Sequence, residues 1–314
     1  SDLAISLGVT PLTTSFFGLS NATLTINQEG TYSLVAFENF GSYNEDDLLI
    51  NPSAGTALNG GYGWESSWIA SYASNSKLKV VDSSFSYGTP SINVPGKLIK
   101  WGYSINQVAA QARKLPLQNQ GKVYIQFYTY SENGNNGING DNGSPRIDLN
   151  YVSDDNDYVN TRTRRVMLFW NSDEKIVLRA GTDADTSSQH SIVTFNDQQV
   201  INGVTIEVSN SNNIPNFHII LLDYDNSELK YWYNPDSSTF YNSQPTTSTE
   251  INLTGYTFSF NYVDIYLGDE RYRSTDKFGE IKIISDIPSE PEPEAEAEPE
   301  PEAEPEPEPE PEPE

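Results

Sequence analysis

Residues Lys122–Tyr130 read KVYIQFYTY, and this stretch decides the fold class. The apolar residues Val123, Ile125 and Phe127 alternate with polar or aromatic residues at the even-numbered positions. A side-chain period of two is typical of a β-strand with two different faces. The alternation predicts a strand whose odd-numbered side chains lie in a core and whose even-numbered side chains face water.

Strand patterns continue on both sides of this stretch. Arg165–Trp170 is apolar on both faces, as expected for a central strand. Phe217–Leu222 and Leu229–Tyr233 flank the short polar segment Asp223–Ser227, which predicts a hairpin. Each of these segments therefore favours β-structure over helix.

Two further strands are predicted at Tyr256–Leu267 and Phe278–Ile284. Only Ile105–Arg113 has the composition of a helix, and it is short. Strands at regular spacing, separated by Gly, Asn and Ser turns, are typical of an antiparallel β-sandwich or jelly roll. The sequence therefore predicts an all-β fold.

Composition divides the chain into three parts. Residues 1–30 contain the alternating run Ala22–Asn27, and we interpret them as a β extension or an attachment arm. Residues 31–287 form the predicted β-sandwich. Residues 288–314 alternate Glu with Pro or Ala. Because Pro lacks an N–H donor and the Glu side chains repel each other, we expect this acidic tail to be extended and disordered.

The charge excludes several classes of partner. The formal net charge is −26, and 13 of the glutamates lie in the tail, which leaves −13 on the rest of the chain. Such a field repels nucleic acid and anionic lipid. No apolar run is long enough for membrane insertion. The chain has no Cys, which excludes disulfides, zinc–thiolate sites and thiol catalysis.

Several short motifs occur in a characteristic order between residues 33 and 285. They are FENF (Phe37–Phe40), LNGGYGW (Leu58–Trp64), Trp68, ARKL (Ala112–Leu115), VYIQF (Val123–Phe127), YWYNP (Tyr231–Pro235) and FGEIKI (Phe278–Ile283). Their order and spacing resemble those of bacterial and phage concanavalin A-like lectin/glucanase domains, which are also called laminin-G-like. Gly279 stands where the closing strand of that family usually carries Asp. The resemblance implies a concanavalin A-like jelly roll that binds glycans, binds proteins or cleaves polysaccharides.

The catalytic pattern that the resemblance would imply is absent. Glucanases of that family carry Glu-x-Asp-x-x-Glu on one strand, where the alternation points the carboxylates into the cleft. The nearest acidic clusters, Glu45–Asp47 and Asp154–Asp157, lie in loop-like segments. His218 lies in an apolar strand, where we expect a sheet residue rather than a base. The sequence therefore predicts a non-catalytic protein.

Glycan binding needs a flat aromatic face together with amide or carboxylate groups for the sugar hydroxyls. Aromatic residues beside polar loops, and amides within the Gly/Asn-rich segment Ser131–Ser144, meet this requirement. Trp64 and Trp68, in contrast, belong to a motif that we expect to be part of the core. The predicted ligand-binding residues are Trp101, Tyr103, Tyr130, Asn135, Asn139 and Trp232.

Calcium is the predicted cofactor, because it binds six to eight oxygen ligands from carboxylates, amides and carbonyls. We interpret Asp141, Asp154, Asp155 and Asp157 as its ligands. Two other pairs, Asp183 with Asp185 and Asp223 with Asp225, are alternatives, and all of these residues are also common in solvated turns. We expect the basic cluster Arg162–Arg165 to pair with surface carboxylates.

These observations favour a non-catalytic surface binding module that recognises a polysaccharide or a cell-surface glycan. Such a module would work outside the cell, at the cell surface or on a virion. Two alternatives remain open. The separable N-terminal arm and the solvated tail also suit a virion decoration or fibre protein, or another surface-assembly subunit, with coat or surface proteins as partners. A polysaccharide hydrolase or lyase with non-standard acids is the third hypothesis.

Overall fold

The computed structural model describes residues 33–51, 55–71, 78–81, 85–87, 92–94, 96–101, 109–130, 145–170, 176–184, 200–206, 215–235, 249–267 and 276–286. Within these ranges, regular structure is almost entirely β. The exceptions are a turn of 3-10 helix at Asp155–Asp157 and the short helix α1 at Tyr158–Thr161. No helix in the described ranges has the length and hydropathy that a membrane-spanning segment requires.

The first sheet has eight strands. They are β1 (Ser33–Glu38), β5 (Leu78–Val81), β8 (Leu98–Trp101), β10 (Lys122–Tyr130), β15 (Pro215–Asp223), β16 (Glu228–Tyr233), β17 (Thr249–Asn252) and β19 (Lys277–Ser285). Their order is β17-β16-β15-β10-β19-β8-β5, and β1 also pairs with β19.

The second sheet has seven strands in the order β14-β13-β12-β11-β18-β9-β4. They are β4 (Ile69–Ala70), β9 (Ala109–Gln118), β11 (Arg146–Val152), β12 (Arg162–Trp170), β13 (Ile176–Ala184), β14 (Val200–Ile206) and β18 (Phe260–Leu267). Two small ribbons complete the described strands, namely β2 (Ile50–Asn51) with β3 (Thr56–Ala57), and β6 (Phe85–Tyr87) with β7 (Ile92–Val94).

The core lies between the two sheets. Side chains of β10, such as Ile125 and Phe127, share one buried apolar cluster with side chains of β11, such as Ile147 and Leu149. Neighbouring strands in both sheets are antiparallel. These observations confirm the predicted all-β, antiparallel β-sandwich, including the core face of β10.

Several predicted elements are confirmed in detail. Strands β15 and β16 form the predicted antiparallel hairpin around the Asp223–Ser227 segment. Strand β12, which contains Arg165–Trp170, lies inside the second sheet between β11 and β13. Strand β18 begins at Phe260, four residues later than the alternation at Tyr256 suggested.

The predicted helix at Ile105–Arg113 is wrong in its described part, because residues from Ala109 onward form strand β9. Ala112 packs in a small buried cluster with Tyr262 of β18. The Arg113 side chain forms a buried ion pair with Glu38. These tertiary contacts override the weak helical preference of an Ala-rich segment. Residues 105–108 lie outside the described ranges.

The expectation that one face of β10 is wet is also wrong. Tyr124, Gln126 and Tyr128 point away from the core between the sheets, yet all three are buried. The same holds for the outer face of the second sheet, where Asp148 and Asp264 are buried. Both outer faces therefore carry polar groups that need hydrogen-bonding partners.

Two predicted parts of the chain, the N-terminal extension at residues 1–30 and the acidic tail at residues 288–314, lie outside the described ranges. The described residues all fall within the predicted sandwich at 31–287. The division into three parts stays a prediction.

Candidate functional site

A set of charged and polar side chains lies on the outer face of the second sheet. In Arg146–Asn150, which reads RIDLN, Ile147 and Leu149 point into the core, so the side chains between them point outward. Asp264 of β18 lies directly opposite Asp148. We use the term polar cluster for these residues: Arg146, Asp148, Asn150, Tyr158, Arg162, Arg164 and Asp264.

Asp148 is held by two guanidinium groups. Arg146 donates from Nε to Asp148 Oδ1 at 2.7 Å and from Nη2 to Oδ2, and Arg164 donates from Nε to Oδ2 at 3.0 Å. Burial alone would raise the pKa of Asp148, but Arg146 and Arg164 outweigh it and hold the pKa below its usual value. Asp148 is therefore an ionised, tightly partnered carboxylate.

Asp264 has a different environment, because all of its hydrogen bonds go to one oxygen. Oδ2 accepts from the Tyr158 hydroxyl at 2.8 Å, from Arg162 Nη1 at 3.1 Å and from Asn150 Nδ2 at 3.2 Å. Burial raises the pKa of Asp264, and the charge of Asp148 adds to the rise, although Arg162 opposes it. The two carboxyl groups therefore have pKa values displaced in opposite directions.

Buried atoms of the polar cluster that make no hydrogen bond include Arg146 Nη1, Asn150 Oδ1 and Asp264 Oδ1, on residues that are between 0% and 4% exposed. The Ser71 side chain lies close enough to oppose the rise in the pKa of Asp264, but its hydroxyl makes no hydrogen bond. Most buried polar atoms in proteins are bonded, and each one left alone costs about 1–3 kcal/mol. Arg146 Nη1 is an N–H donor, and Asn150 Oδ1 and Asp264 Oδ1 are acceptors.

The polar cluster approaches solvent at one edge. The rings of Tyr158 and Tyr262 lie 4.9 Å apart, and the Tyr262 hydroxyl donates to Asp155 Oδ1 at 3.1 Å. Asp155 also accepts from Lys114 Nζ at 2.7 Å, and its side chain is 49% exposed. We call Lys114, Asp155, Tyr158 and Tyr262 the access edge.

The described aspartates of the predicted calcium site have partners within the protein. Asp154 accepts from the Asn156 N–H, Asp155 pairs with Lys114, and Asp157 accepts from Asn160. Within the described ranges, no three His, Asp or Glu side chains gather as a metal site would require. Asp141 and Asp185 lie outside those ranges. The calcium site stays a prediction.

The alternative calcium pair at Asp223 and Asp225 also has a structural explanation. Asp223 accepts from the backbone N–H of Asn226 at 3.0 Å and from its side-chain amide at 2.9 Å. These bonds close the loop between β15 and β16, as is common for an Asp at a turn.

Two of the predicted ligand-binding residues lie on the outer face of the first sheet. Trp232 of β16 is 4% exposed. Tyr130 at the end of β10 is partly buried, with Lys277 Nζ 5.1 Å from its ring centre. Trp101 ends β8 in the same sheet. The remaining three, Tyr103, Asn135 and Asn139, lie outside the described ranges. The structure does not bring Tyr130 or Trp232 to the polar cluster.

Sequence reasoning missed the polar cluster, although one signal for it exists. The alternation of RIDLN at Arg146–Asn150 places three polar side chains on one face. The basic cluster Arg162–Arg165 was expected to pair with surface carboxylates. Arg162 and Arg164 pair instead with Asp264 and Asp148, because all four side chains lie on a buried face of the second sheet.

A second buried ion pair joins Glu38 of β1 to Arg113 of β9. Arg113 donates from Nη1 to Glu38 Oε2 at 2.7 Å, from Nη2 to Asn59 Oδ1 at 2.8 Å and from Nε to the Ser66 carbonyl at 2.9 Å. Glu38 Oε1 accepts from the Phe40 N–H at 2.8 Å. Every polar group named here is therefore bonded within the protein.

Aromatic rings enclose this ion pair. The Arg113 guanidinium lies 5.1 Å from the ring centre of Trp64 and 5.5 Å from that of Trp68. Trp68 is in the core, as predicted, and the partly buried Trp64 packs against it. The Glu38–Arg113 pair is a structural anchor for the segment that carries these two tryptophans.

His218 is buried in the first sheet. Its ring bonds Thr129 Oγ1 at 2.8 Å and the Tyr231 hydroxyl at 2.9 Å, and it stacks on Phe127. Burial lowers the pKa of His218 to about 3, so the ring is neutral at physiological pH. This geometry fits the predicted sheet residue better than a base.

The sequence matches no family model and no curated protein. Solved structures with a similar fold include the globular domain of T. cruzi calreticulin, with 8% identity over 80% of this chain and 87% of that chain at a TM-score of 0.44. Another is the CBM2 module of an evolved Dit of a Lactobacillus casei phage, with 9% identity over 81% and 96% of the two chains at 0.40.

A third is the exoplasmic/lumenal domain of VIP36 in its Ca2+/Man3GlcNAc-bound form, with 7% identity over 69% of this chain and 83% of that chain at a TM-score of 0.40. Likenesses this distant assign neither a ligand nor an activity to this chain.

Proposed function

We propose that this chain is a non-catalytic carbohydrate-binding module, and that the polar cluster binds hydroxyl groups of a polysaccharide or cell-surface glycan. The observation that carries the proposal is the set of buried atoms without a partner, Arg146 Nη1, Asn150 Oδ1 and Asp264 Oδ1. A sugar hydroxyl both donates and accepts a hydrogen bond, as the Ser and Thr hydroxyls do. Neighbouring hydroxyls can therefore satisfy the donor and both acceptors.

The positions of these atoms favour an oligosaccharide over a single ion. Arg146 and Asn150 are four residues apart on one strand, so their backbones are separated by about 13 Å. Asp264 lies between them, because it is opposite Asp148. The Asn150 and Asp264 side chains lie next to each other, because Asn150 Nδ2 donates to Asp264 Oδ2 at 3.2 Å, and Arg146 lies further along β11. An extended ligand with several hydroxyls suits two separate points of attachment.

The access edge contains two buried aromatic rings, those of Tyr158 and Tyr262, and aromatic rings pack well against the apolar face of a sugar. The cluster is closed to solvent, so a ligand must enter by displacing a side chain. Tyr158 is the side chain that we expect to move, because it lies in the four-residue helix α1 and donates its hydroxyl to Asp264 Oδ2. An incoming sugar hydroxyl would donate the same bond. The exchange replaces one O–H donor with another.

The hydrogen bonds of Asp148 support binding rather than catalysis. A nucleophile or general base needs a free carboxylate oxygen in reach of the substrate. Arg146 occupies both oxygens of Asp148, and Arg164 shares one of them. In this arrangement Asp148 fixes the arginines, and Asp264 is the carboxyl group that faces the ligand. We therefore propose no polysaccharide cleavage.

We further propose that the module works outside the cell, at a cell surface or on a virion, where such glycans occur. We test glycan binding with and without calcium, because the described aspartates at Asp154–Asp157 already have protein partners.

A glycan array tests the proposal. The whole chain is applied to the array with calcium and again with EDTA, beside the variants Asp264→Asn and Asp46→Asn. We expect wild type to bind at least one class of glycan and Asp264→Asn to bind at least tenfold more weakly. The control Asp46→Asn, whose side chain is 71% exposed and lies outside the polar cluster and the access edge, should bind as wild type. Absence of wild-type binding, or equal binding by Asp264→Asn, would overturn the proposal. Release of reducing sugar from a bound glycan would contradict its non-catalytic part.

A further inference from the structure

A second group of buried polar side chains lies on the opposite side of the molecule, on the outer face of the first sheet. Gln126 of β10 lies between Lys282 of β19 and Ile219 of β15. The same row continues to Phe37 of β1 on one side and Trp232 of β16 on the other. We call these five residues the amide row.

Glu280 joins the amide row through an irregularity in the strand pairing. The register changes from Phe127 opposite Ile281 to Tyr128 opposite Gly279, which leaves Glu280 as the extra residue of a β-bulge. Its Oε1 pairs with Lys282 Nζ at 3.0 Å, and both side chains are buried. Bulges that re-aim a side chain are common beside binding sites.

The amide of Gln126 has no hydrogen-bonding partner at either of its atoms, and Glu280 Oε2 has none either. Gln126 is only 2% exposed. An apolar side chain is compatible with this face of the sheet, because Ile219 lies opposite Gln126 on the neighbouring strand β15. The fold therefore does not require an amide at position 126. A donor and two acceptors are therefore available on adjacent strands, at a cost to stability.

The surroundings of this group are aromatic. Tyr124 and Tyr128 occupy the positions two residues before and after Gln126 on the same face of β10. Tyr128 stacks on Phe217 with ring centres 4.7 Å apart, and Trp232 ends the amide row. Amide and carboxylate groups among aromatic rings are the chemistry that recognises a sugar.

We propose that the amide row, together with Glu280, is a second carbohydrate subsite that accepts a neutral sugar. Gln126 would donate to one hydroxyl and accept from another, and Glu280 Oε2 would accept from a third group. An anionic sugar is disfavoured, because Glu280 is the group that faces it. This inference rests on the proposed function, and it makes the module bivalent, with one site on each outer face. Bivalence raises avidity for a polymer without any new contact.

Calorimetric titration with soluble neutral oligosaccharides of the β-glucan and mannan classes tests the number of sites. We expect about two equivalents bound per chain by wild type, and about one by Gln126→Met and by Asp264→Asn. One equivalent in wild type that only Asp264→Asn removes would overturn the second subsite and leave the proposed function standing. No binding of any probe by wild type would overturn both.

A thermal unfolding experiment separates a ligand site from an amide that only bonds ordered water. Gln126→Met keeps the size of the side chain and removes the unbonded amide, so we expect Tm without ligand to rise by a few degrees. Gln118→Met is the matched control, because the Gln118 amide donates to the Pro116 carbonyl at 2.8 Å. We expect the control to lower Tm. A Gln126→Met protein with an unchanged or lower Tm would show an amide satisfied by water and overturn the proposal.

Discussion

Two buried arginine–carboxylate sites in this protein differ in one respect. At the first site, the side-chain oxygen and nitrogen atoms of Glu38 and Arg113 all form hydrogen bonds within the chain, and two tryptophans enclose the guanidinium. At the polar cluster, Arg146 and Asp264 are just as buried, but each keeps one atom without a partner. The two sites are equally buried, but only the Glu38–Arg113 site is completely hydrogen-bonded within the protein.

The difference separates two uses of buried charge. A fully bonded pair holds two strands in place, and removal of one partner leaves an uncompensated charge. An incompletely bonded cluster gives up stability that a ligand can restore. We therefore expect substitutions at Arg113 to change stability, and substitutions at Asp264 to change binding.

His218 extends the comparison to a buried group that is fully bonded but neutral. Its pKa is about 3 in the folded protein against 6.5 for the free side chain, so between these values the unfolded chain binds more protons. The free energy of unfolding should therefore rise with pH from about 3 to 6.5, at about 1.4 kcal/mol per unit and by as much as about 5 kcal/mol in total. Urea unfolding across this pH range measures the rise, and His218→Phe should remove it. An equal rise in the variant would show that other groups cause it.

Arg113→Met tests the structural site directly. It leaves Glu38 buried without its cation, and we expect the free energy of unfolding to fall by about 3–5 kcal/mol. Urea unfolding at neutral pH measures the loss. The double variant Glu38→Gln with Arg113→Met removes the stranded charge as well and should recover part of it. A double variant as unstable as the two losses added together would contradict the pairing argument.

Asp264→Asn should have a smaller effect on stability, because burial already raises the pKa of Asp264 and because the change removes one ion pair, with Arg162. We expect a loss of about 1–2 kcal/mol, together with loss of glycan binding. Asp148→Asn is the contrasting control, because it strands Arg146 and Arg164 and should cost about 3 kcal/mol or more. Urea unfolding and the glycan array are measured on the same preparations. Equal instability of the two variants would end the distinction between them.

Lys114→Met should show the smallest effect. Lys114 Nζ pairs with Glu65 at 3.1 Å and with Asp155 at 2.7 Å, but all three side chains are partly exposed. Exposed pairs contribute about 0.2–1 kcal/mol, so we expect a loss of at most about 0.5 kcal/mol in urea unfolding. A loss of several kcal/mol would mean that the access edge is a structural element like the Glu38–Arg113 pair.

The fold could be predicted from the sequence because alternation is a local property. The pattern of Lys122–Tyr130 alone gives both the strand and its core face, and the hairpin around Asp223–Ser227 is likewise contained in a short segment. The helix predicted at Ala109–Arg113 is wrong because the alanines of this segment favour a helix locally. Contacts with Tyr262 and Glu38, which are distant in the sequence, make it a strand.

The polar cluster could not be predicted in the same way. Asp148 and Asp264 lie on strands that are distant in the sequence and become neighbours only when β11 pairs with β18. Alternation shows that Arg146, Asp148 and Asn150 share a face, but it does not show that this face is buried. The atoms without partners appear only when every hydrogen bond is known.

The position of β19 has a consequence for biosynthesis. This strand pairs with β10 on one side and with both β1 and β8 on the other, so it joins the two halves of the first sheet. A ribosome releases β1, β8 and β10 long before residues 277–285 emerge. Until then those strands have unpaired edges, which are prone to wrong associations. The sheet therefore closes late, and a fold with so many distant pairings is expected to form slowly.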